Sequence, residues 1–215
     1  MRVIACAGRE ALSAEETAAV AAAARAAGVI LYPTDTLYGL GADPFSAAGV
    51  AAVYRLKGRA PAKPLPVLLA DASLAGSFAA AVPVPWRTLM ARFWPGPLTL
   101  LFPALPDLPP GIRSDSGTVA LRVPGSALCR SILAAAGGAL TGTSANPSGA
   151  GGTGDPAVAL RSLAGTIDLL VDAGTLPAST VSTLLEMNAM GRMIEVRRGA
   201  VPLEAITRAL QESKE

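Results

Sequence analysis

The chain has 215 residues, of which 51% are hydrophobic, and this length suits one domain with a buried core and a cleft. Its net charge of +2 argues against a dedicated nucleic-acid coat, and the absence of histidine excludes Ser-His-Asp catalysis and His-ligated metal sites. With two cysteines, no signal peptide and no membrane-length apolar run, we expect a reduced cytoplasmic protein.

The first half of the chain begins with a helix signature. Ser13 and Glu16 form the pattern of a capping box before an Ala-rich helix over 14–27, which Gly28 ends. A short buried strand over 29–32 then leads into the polar loop around Thr34. The elements expected next are a helix from Ser46 to about Lys57, a strand over 66–69, helices over 73–81 and 86–93, and a strand over 98–102.

The second half mixes strands and helices without strict alternation. Strands are expected over 119–123, 139–143, 169–172, 180–185 and 193–197, and helices over 126–136, 155–162 and 202–211. This order predicts an α/β fold with a mixed parallel and antiparallel sheet flanked by helices. No internal repeat and no convincing linker divide the chain, so we expect a single domain over 1–215.

Cations cluster near the C-terminal end of the helix that is expected to begin at Ser46. Lys57, Arg59 and Lys63 fall within seven positions, and prolines at 61, 64 and 66 limit how far these charges can move. Arginine offers paired donors to phosphate oxygens, whereas lysine supplies a compact charge. The cluster is either a solvated helix end or a site that stabilises the charge of a polyphosphate.

A second polar stretch, over 141–149, follows a strand directly. It is either an ordinary Ser- and Asn-rich turn or a hydroxyl- and amide-lined cradle at the strand's carboxyl end. The glycines over 149–154 match G-x-G-x-x-G, but the next helix begins only at Asp155-Pro156, so we reject a dinucleotide fingerprint. Arg122, a cation inside an apolar strand, indicates either a structural ion pair or recognition of a carboxylate or phosphate.

Taken together, these stretches resemble the YrdC-like family over about 28–200. The matching motifs are Tyr-Pro-Thr-Asp-Thr-x-Tyr-Gly-Leu at 32–40, Lys-x-Arg-x-x-x-Lys-Pro-Leu at 57–65, Pro-Gly-Pro-Leu-Thr at 95–99, the strand with Arg122, Ser-Ala-Asn-x-Ser-Gly at 144–149, Ser-Thr-Val at 179–181 and Arg-x-Gly at 197–199. The resemblance implies a twisted mixed sheet with helices around a deep basic cavity.

The same resemblance implies an enzyme, an L-threonylcarbamoyladenylate synthase. Such enzymes join L-threonine, bicarbonate and ATP, with Mg²⁺ bound to the ATP, and release pyrophosphate. Their product supplies the threonylcarbamoyl group of the tRNA adenosine next to the anticodon, so tRNA threonylcarbamoyl-transfer proteins are the expected partners. Weak direct contact with tRNA stays open.

Roles carried over from the family fall on ten residues. Lys57 and Arg59 are the expected catalytic residues; Arg59, Lys63, Thr118, Ser144, Asn146 and Arg197 are expected at ATP, with Asn146 fixing its loop; Thr34, Arg122 and Ser179 are expected at threonine. Two positions depart from the family pattern. Leu68 stands where some members carry histidine, and Gly152 stands where relatives often carry serine.

Two other functions remain open from the sequence. The same cavity could belong to a non-catalytic module that binds tRNA or double-stranded RNA, although the modest net charge disfavours it. A paralogue with the same chemistry could act on a different amine. Dependence of pyrophosphate release on each amino acid would separate these alternatives from a threonine-specific synthase.

Overall fold

The computed structural model describes residues 1–60, 63–188 and 190–213, which form eleven strands and six α-helices. The strands are β1 (Arg2–Ala5), β2 (Ile30–Pro33), β3 (Tyr38–Gly41), β4 (Val67–Leu69), β5 (Leu98–Pro103), β6 (Thr118–Arg122), β7 (Ala139–Thr141), β8 (Thr143–Ser144), β9 (Leu169–Asp172), β10 (Thr183–Met187) and β11 (Met193–Arg197). The helices are α1 (Ala14–Arg25), α2 (Ala47–Lys57), α3 (Val84–Phe93), α4 (Ala127–Ala135), α5 (Pro156–Ser162) and α6 (Leu203–Glu212).

The strands form two sheets. The five-stranded sheet has the order β1-β9-β2-β3-β8, in which β9 is parallel to both β1 and β2 while β3 is antiparallel to its neighbours. The six-stranded sheet has the order β11-β10-β5-β6-β4-β7, with parallel pairs β10–β5 and β4–β6. Both sheets are mixed and helices flank them, so the predicted fold class is confirmed, although the strands divide between two sheets.

Strand β2 shows why the sequence lacks a clear strand alternation here. All four of its residues are buried. Leu31 belongs to the larger hydrophobic cluster, whereas Ile30 and Tyr32 face a second cluster to which α1 and α4 contribute. A strand covered on both faces has apolar residues at every position, which is typical of the centre of an α/β sheet.

Helix α2 places the cation cluster. Ser46 caps it by accepting from the backbone N–H of Gly49, and Gly58 ends it in the left-handed conformation with φ of +56°. That conformation suits glycine, which has no Cβ to clash. The helix buries Val50, Val53 and Lys57 on one face, so its last turn carries a lysine toward the interior and the chain then turns to Arg59.

Most predicted elements are confirmed, and the differences have local reasons. The capping box of α1 and the bounds of α2 are as expected. The segment predicted as a helix over 73–81 is a short 3₁₀ helix over Ala72–Ser77. Strands β1 and β3 were not predicted, and the strand expected over 139–143 is divided into β7 and β8, which lie in different sheets. Pro61 lies outside the described residues. Within the described residues, no helix is long and apolar enough to cross a membrane.

Candidate functional site

A cavity of about 170 Å³ lies where the two sheets meet. The turn between β2 and β3 and strand β8 contribute from the five-stranded sheet, and β4, β5, β6 and β11 contribute from the other. Its polar lining includes Thr34, Thr36, Arg59, Thr99, Arg122, Thr143, Ser144, Ser182 and Arg197. No Asp or Glu of the described residues lines it, so its wall combines three guanidinium groups with hydroxyls.

Arg122 is fixed at the end of β6. Its Nε donates to the carbonyl of Gly96 at 2.9 Å, its Nη2 forms an ion pair with Asp35, and its Nη1 lies 3.5 Å from the hydroxyl of Thr36. The side chain of Arg122 is 5% exposed. Of the two interpretations from the sequence, the structural ion pair is present, and the guanidinium also lines the cavity.

Thr34 organises the turn that leads from β2 to β3. Its hydroxyl accepts from the backbone N–H groups of Thr36 at 3.1 Å and Leu37 at 3.2 Å, and it donates to the Leu37 carbonyl at 2.7 Å. Side-chain hydroxyls stabilise turns in this way. The Thr34 side chain therefore shapes one wall of the cavity through local hydrogen bonds.

Arg59 and Arg197 line the cavity without a carboxylate partner among the described residues. Arg59 donates to the carbonyls of Lys63 at 2.7 Å and Pro64 at 2.9 Å. Arg197 donates to the carbonyl and the hydroxyl of Ser182, at 3.0 and 2.9 Å. Burial lowers the pKa of both guanidinium groups, and nearby Arg122 lowers the pKa of Arg197 further. Converging cations in a partly buried cavity indicate an anionic ligand.

The segment 144–150 forms another part of the wall. Lys57, which is 3% exposed, donates to the backbone carbonyls of Ser144 and Asn146, the second at 2.5 Å. The amide of Asn146 donates to the carbonyls of Pro147 at 2.7 Å and Ala150 at 2.6 Å. Burial, followed by repulsion from Arg59, lowers the pKa of Lys57 to about 8. The loop is thus held by two side chains that do not line the cavity themselves.

The structure divides the ten predicted site residues into two groups. Thr34, Arg59, Arg122, Ser144 and Arg197 line the cavity. Lys57, Lys63, Thr118, Asn146 and Ser179 do not: Lys57 and Asn146 are buried behind the wall, Lys63 and Ser179 are exposed, and the hydroxyl of Thr118 pairs with Ser114 at 2.8 Å. The ligands assigned to all ten stay predictions.

Four polar lining residues, Thr36, Thr99, Thr143 and Ser182, were not predicted as site residues, although Thr143 lies in the polar stretch over 141–149. Thr36 and Thr99 lie inside the motifs at 32–40 and 95–99. Their position in these motifs could have identified them as site residues. Ser182 lies three positions after Ser179, just before β10. Its hydroxyl pairs with that of Thr99 at 2.8 Å and with Arg197, and this pairing depends on the contact between β5 and β10.

Arg59 also borders a second cavity, of about 560 Å³, on the outer side of α2. Tyr54, Pro110 and Arg113 line it as well. The phenolic hydroxyl of Tyr54 donates to the carbonyls of Lys63 at 2.8 Å and Gly111 at 3.1 Å. The segment 59–64 is therefore fastened to α2 at Tyr54, and Arg59 lines both cavities.

The fold and the site define an α/β protein with an arginine-lined cavity, whose positive charge suits an anionic ligand. A family model named Sua5/YciO/YrdC and described as telomere recombination matches residues 22–199. The chain belongs to this Sua5/YciO/YrdC family.

Individual relatives agree with the family match. The chain is 36% identical over 171 residues to a threonylcarbamoyl-AMP synthase of Bacillus subtilis, covering 79% of this chain and 49% of that protein. It is 45% identical over 130 residues to a threonylcarbamoyl-AMP synthase of Thiobacillus denitrificans, covering 58% and 66%. The chain therefore spans about half the length of the Bacillus relative.

A solved structure shares the whole fold. The crystal structure of P. abyssi Sua5 complexed with L-threonine superimposes with a TM-score of 0.90 at 27% identity. The match covers 97% of this chain and 61% of that one. The two-sheet architecture is therefore that of a Sua5 protein. The motifs identified in the sequence, from 32 to 199, lie within the region that the family model matches.

Proposed function

We propose that the protein is an L-threonylcarbamoyladenylate synthase and that residues 1–215 form one YrdC-like domain. The observation that carries this proposal is the cavity, where Arg59, Arg122 and Arg197 converge among hydroxyls with no lining carboxylate of the described residues. A reaction between ATP, bicarbonate and the carboxylate-bearing threonine gathers several negative charges, which such a wall would stabilise. The names of the relatives support the same activity.

The proposed chemistry needs charge stabilisation and positioning. The amine of threonine and bicarbonate form a carbamate with loss of water. A carbamate oxygen then attacks the α-phosphorus of ATP, and the bond to the β-phosphate oxygen breaks to release pyrophosphate. Negative charge develops on the transferring phosphorus oxygens and on the leaving group, where fixed cations lower the barrier. No step requires the histidine that the chain lacks.

The positions of the three arginines favour a different ligand group for each of them. Arg59 continues from α2, beside the exposed Lys63, and is the proposed partner of the ATP phosphates. Arg122 lies deepest, against the turn formed by Thr34 and Thr36, and is the proposed partner of the threonine carboxylate. Arg197 and Ser144 stand on opposite sheets and would bracket the nucleotide.

We propose that Mg²⁺ enters with ATP, since phosphate oxygens supply most of its ligands in such complexes. Among the described residues, no group of three or more His, Cys, Asp or Glu side chains is placed to hold a metal ion. Asp35, the carboxylate next to the cavity, is already paired with Arg122. The product would pass to tRNA threonylcarbamoyl-transfer proteins.

The test is pyrophosphate release by the purified protein with ATP and Mg²⁺, supplying bicarbonate and each amino acid in turn. Release that requires both threonine and bicarbonate is the expected result. Release with another amine instead would identify a paralogue of the same chemistry. Absence of release from a folded protein that binds RNA would favour the non-catalytic module.

Arg59→Ala should abolish threonine-dependent pyrophosphate release while the protein stays folded. Among the described residues, the side chain donates to the carbonyls of Lys63 and Pro64, and Arg59 is only partly buried, so its loss removes charge from the cavity without opening the core. Arg208→Ala, on the exposed face of α6, is the matched control and should keep full activity. Unchanged turnover in Arg59→Ala would remove this residue from the site.

A further inference from the structure

The ammonium group of Lys57 is buried behind the cavity wall. It is 3% exposed and donates to the carbonyls of Ser144 and Asn146, and no ion pair of the described residues includes it. A buried charge without a counter-ion is costly unless dipoles compensate it. Here the two carbonyls do so, together with the C-terminal end of α2, where a cation is favoured.

The segment 144–150 depends on donors from outside its own backbone. Two of its carbonyls accept from Lys57, and those of Pro147 and Ala150 accept from the Asn146 amide. In return, the backbone N–H of Ser148 donates to the carbonyl of Lys57 at 2.9 Å. Three hydrogen bonds therefore fasten this segment to one residue in the last turn of α2.

The fastened segment is also part of the cavity. Ser144, whose carbonyl accepts from Lys57, lines the cavity, and Arg59 lines it two positions after Lys57. The side chain of Lys57 does not reach the lining. Lys57 thus joins two parts of the wall, the Ser144 segment and the Arg59 segment, from behind.

We propose that Lys57 is a positioning residue: its ammonium clamps the segment 144–150 to α2 and supplies positive charge behind the wall, so that a phosphate-bearing ligand binds without touching it. This replaces the catalytic role that the family resemblance implied. The identity of that ligand as ATP rests on the proposed function. The clamp itself rests on the hydrogen bonds alone.

The protonation of Lys57 should then control ligand binding. Burial and Arg59 lower its pKa to about 8, and an anion in the cavity favours the protonated form. Arg59 is the charged group that faces it, and segment 144–150 carries no titratable side chain. Affinity for an anion should therefore fall as pH rises through about 8, where the unliganded protein loses this proton.

The first experiment is ATP binding by calorimetry from about pH 7.5 to about pH 9.5, above the range where phosphate groups titrate near pH 6. In the native protein, affinity should fall about tenfold over this window, the size of one unit of pKa shift. Lys57→Met, which keeps the length without the charge, should bind about tenfold more weakly at the lower pH and lose the pH dependence. Arg55→Met, an exposed cation in the same turn, should behave as the native protein.

Amide hydrogen exchange tests the clamp without any ligand. Exchange of the Ser148 amide should accelerate in Lys57→Met, while amides in β3 and β6 keep their protection. In the native protein, the exchange rate of the Ser148 amide relative to amides in those strands should increase at pH values above about 8. The intrinsic dependence of exchange on hydroxide is removed before this comparison. This comparison decides the matter even where Lys57→Met fails to fold.

Native ATP affinity and pH profile in folded Lys57→Met would overturn the proposal, as would an unchanged relative exchange rate at Ser148. Native ATP affinity with lost turnover would place Lys57 in the chemical step and overturn it as well. Failure of the native protein to release pyrophosphate would contradict only the proposed function, because ATP binding and exchange still report on the clamp.

Discussion

Asp35 contacts Arg122 but does not line the cavity. This ion pair should stabilise the fold and weaken the binding of an anion. The carboxylate compensates the buried guanidinium, but it also cancels part of the charge that the cavity presents. The Gly96 carbonyl holds Arg122 independently at 2.9 Å. Orientation and charge at this position can therefore be separated by substitution.

Asp35→Asn should strengthen threonine binding and weaken the fold. The amide oxygen can still accept from Arg122, whereas the opposing negative charge is gone, so we expect the KM for threonine to fall about fivefold. Unfolding free energy in urea should drop by about 1–3 kcal/mol, the cost of weakening a buried charged hydrogen bond. Steady-state pyrophosphate release and urea titration measure the two effects.

Asp107→Asn, an exposed carboxylate with no hydrogen bond among the described residues, is the control and should change neither quantity. A higher KM in Asp35→Asn would mean that the carboxylate acts mainly by orienting Arg122. The sign of the change in KM thus separates orientation from charge.

Among individual residues, the sequence predicted five of those that line the cavity between the sheets. A cation inside an apolar strand, Arg122, is conspicuous because desolvation makes it expensive. The burial of Lys57 was not predicted, although Val50, Val53 and Lys57 follow helical spacing on one face and this spacing is the signal for it. Ser182 was beyond prediction because its place depends on where β10 begins, and that start depends on pairing with β5.

Among the elements, α1 carries a complete N-terminal cap that extends to Arg9. Glu16 accepts from the backbone N–H of Ser13 at 2.7 Å and forms a two-point ion pair with Arg9, at 2.7 and 2.8 Å. The hydrogen bonds from Arg9 and then from Ser13 lower the pKa of Glu16 to about 2. The cap therefore needs the ionised carboxylate.

Glu16→Gln should lower the urea midpoint at neutral pH, and the difference from the native protein should shrink in acid. A carboxyl whose folded pKa is depressed stabilises fully above its ordinary value of 4.5 and loses that effect as pH falls toward about 2. Glu15→Gln, in the same first turn, is the matched control. A pH-independent difference would mean that packing, not ionisation, carries the effect.

The two strands that the sequence missed, β1 and β3, each pair with a strand far away in the chain, β9 and β8. Strand β3 contains Gly39 and Gly41, which weaken a local strand signal. It exists because β2 and β8 pair with it on either side, and a Cβ at Gly41 would lie 2.1 Å from the carbonyl of Thr141. The close approach of Thr141 therefore requires glycine at position 41, and the same glycine makes β3 hard to recognise in the sequence.

Across the whole molecule, Thr141 joins the two sheets. It ends β7 of the six-stranded sheet, yet its backbone N–H donates to Ala42, just after β3, at 2.9 Å. Its hydroxyl accepts from the Ala42 backbone N–H at 3.0 Å, and its carbonyl accepts from the Tyr32 hydroxyl at 2.8 Å. The cavity takes residues from both sheets, and these hydrogen bonds of Thr141 cross from one sheet to the other.

Thr141→Val keeps the shape of this fully buried side chain and removes its acceptor. The Ala42 N–H is then buried without that partner, which should lower the unfolding free energy by about 1–3 kcal/mol in urea titration. Thr207→Val, which removes an exposed hydroxyl on α6, should stay within about 0.5 kcal/mol of the native protein. If the junction sets the cavity, Thr141→Val should also bind ATP more weakly at a temperature where it is fully folded. Lost stability with native ATP affinity would show that the sheets keep their spacing without this hydrogen bond, through the apolar core that they share.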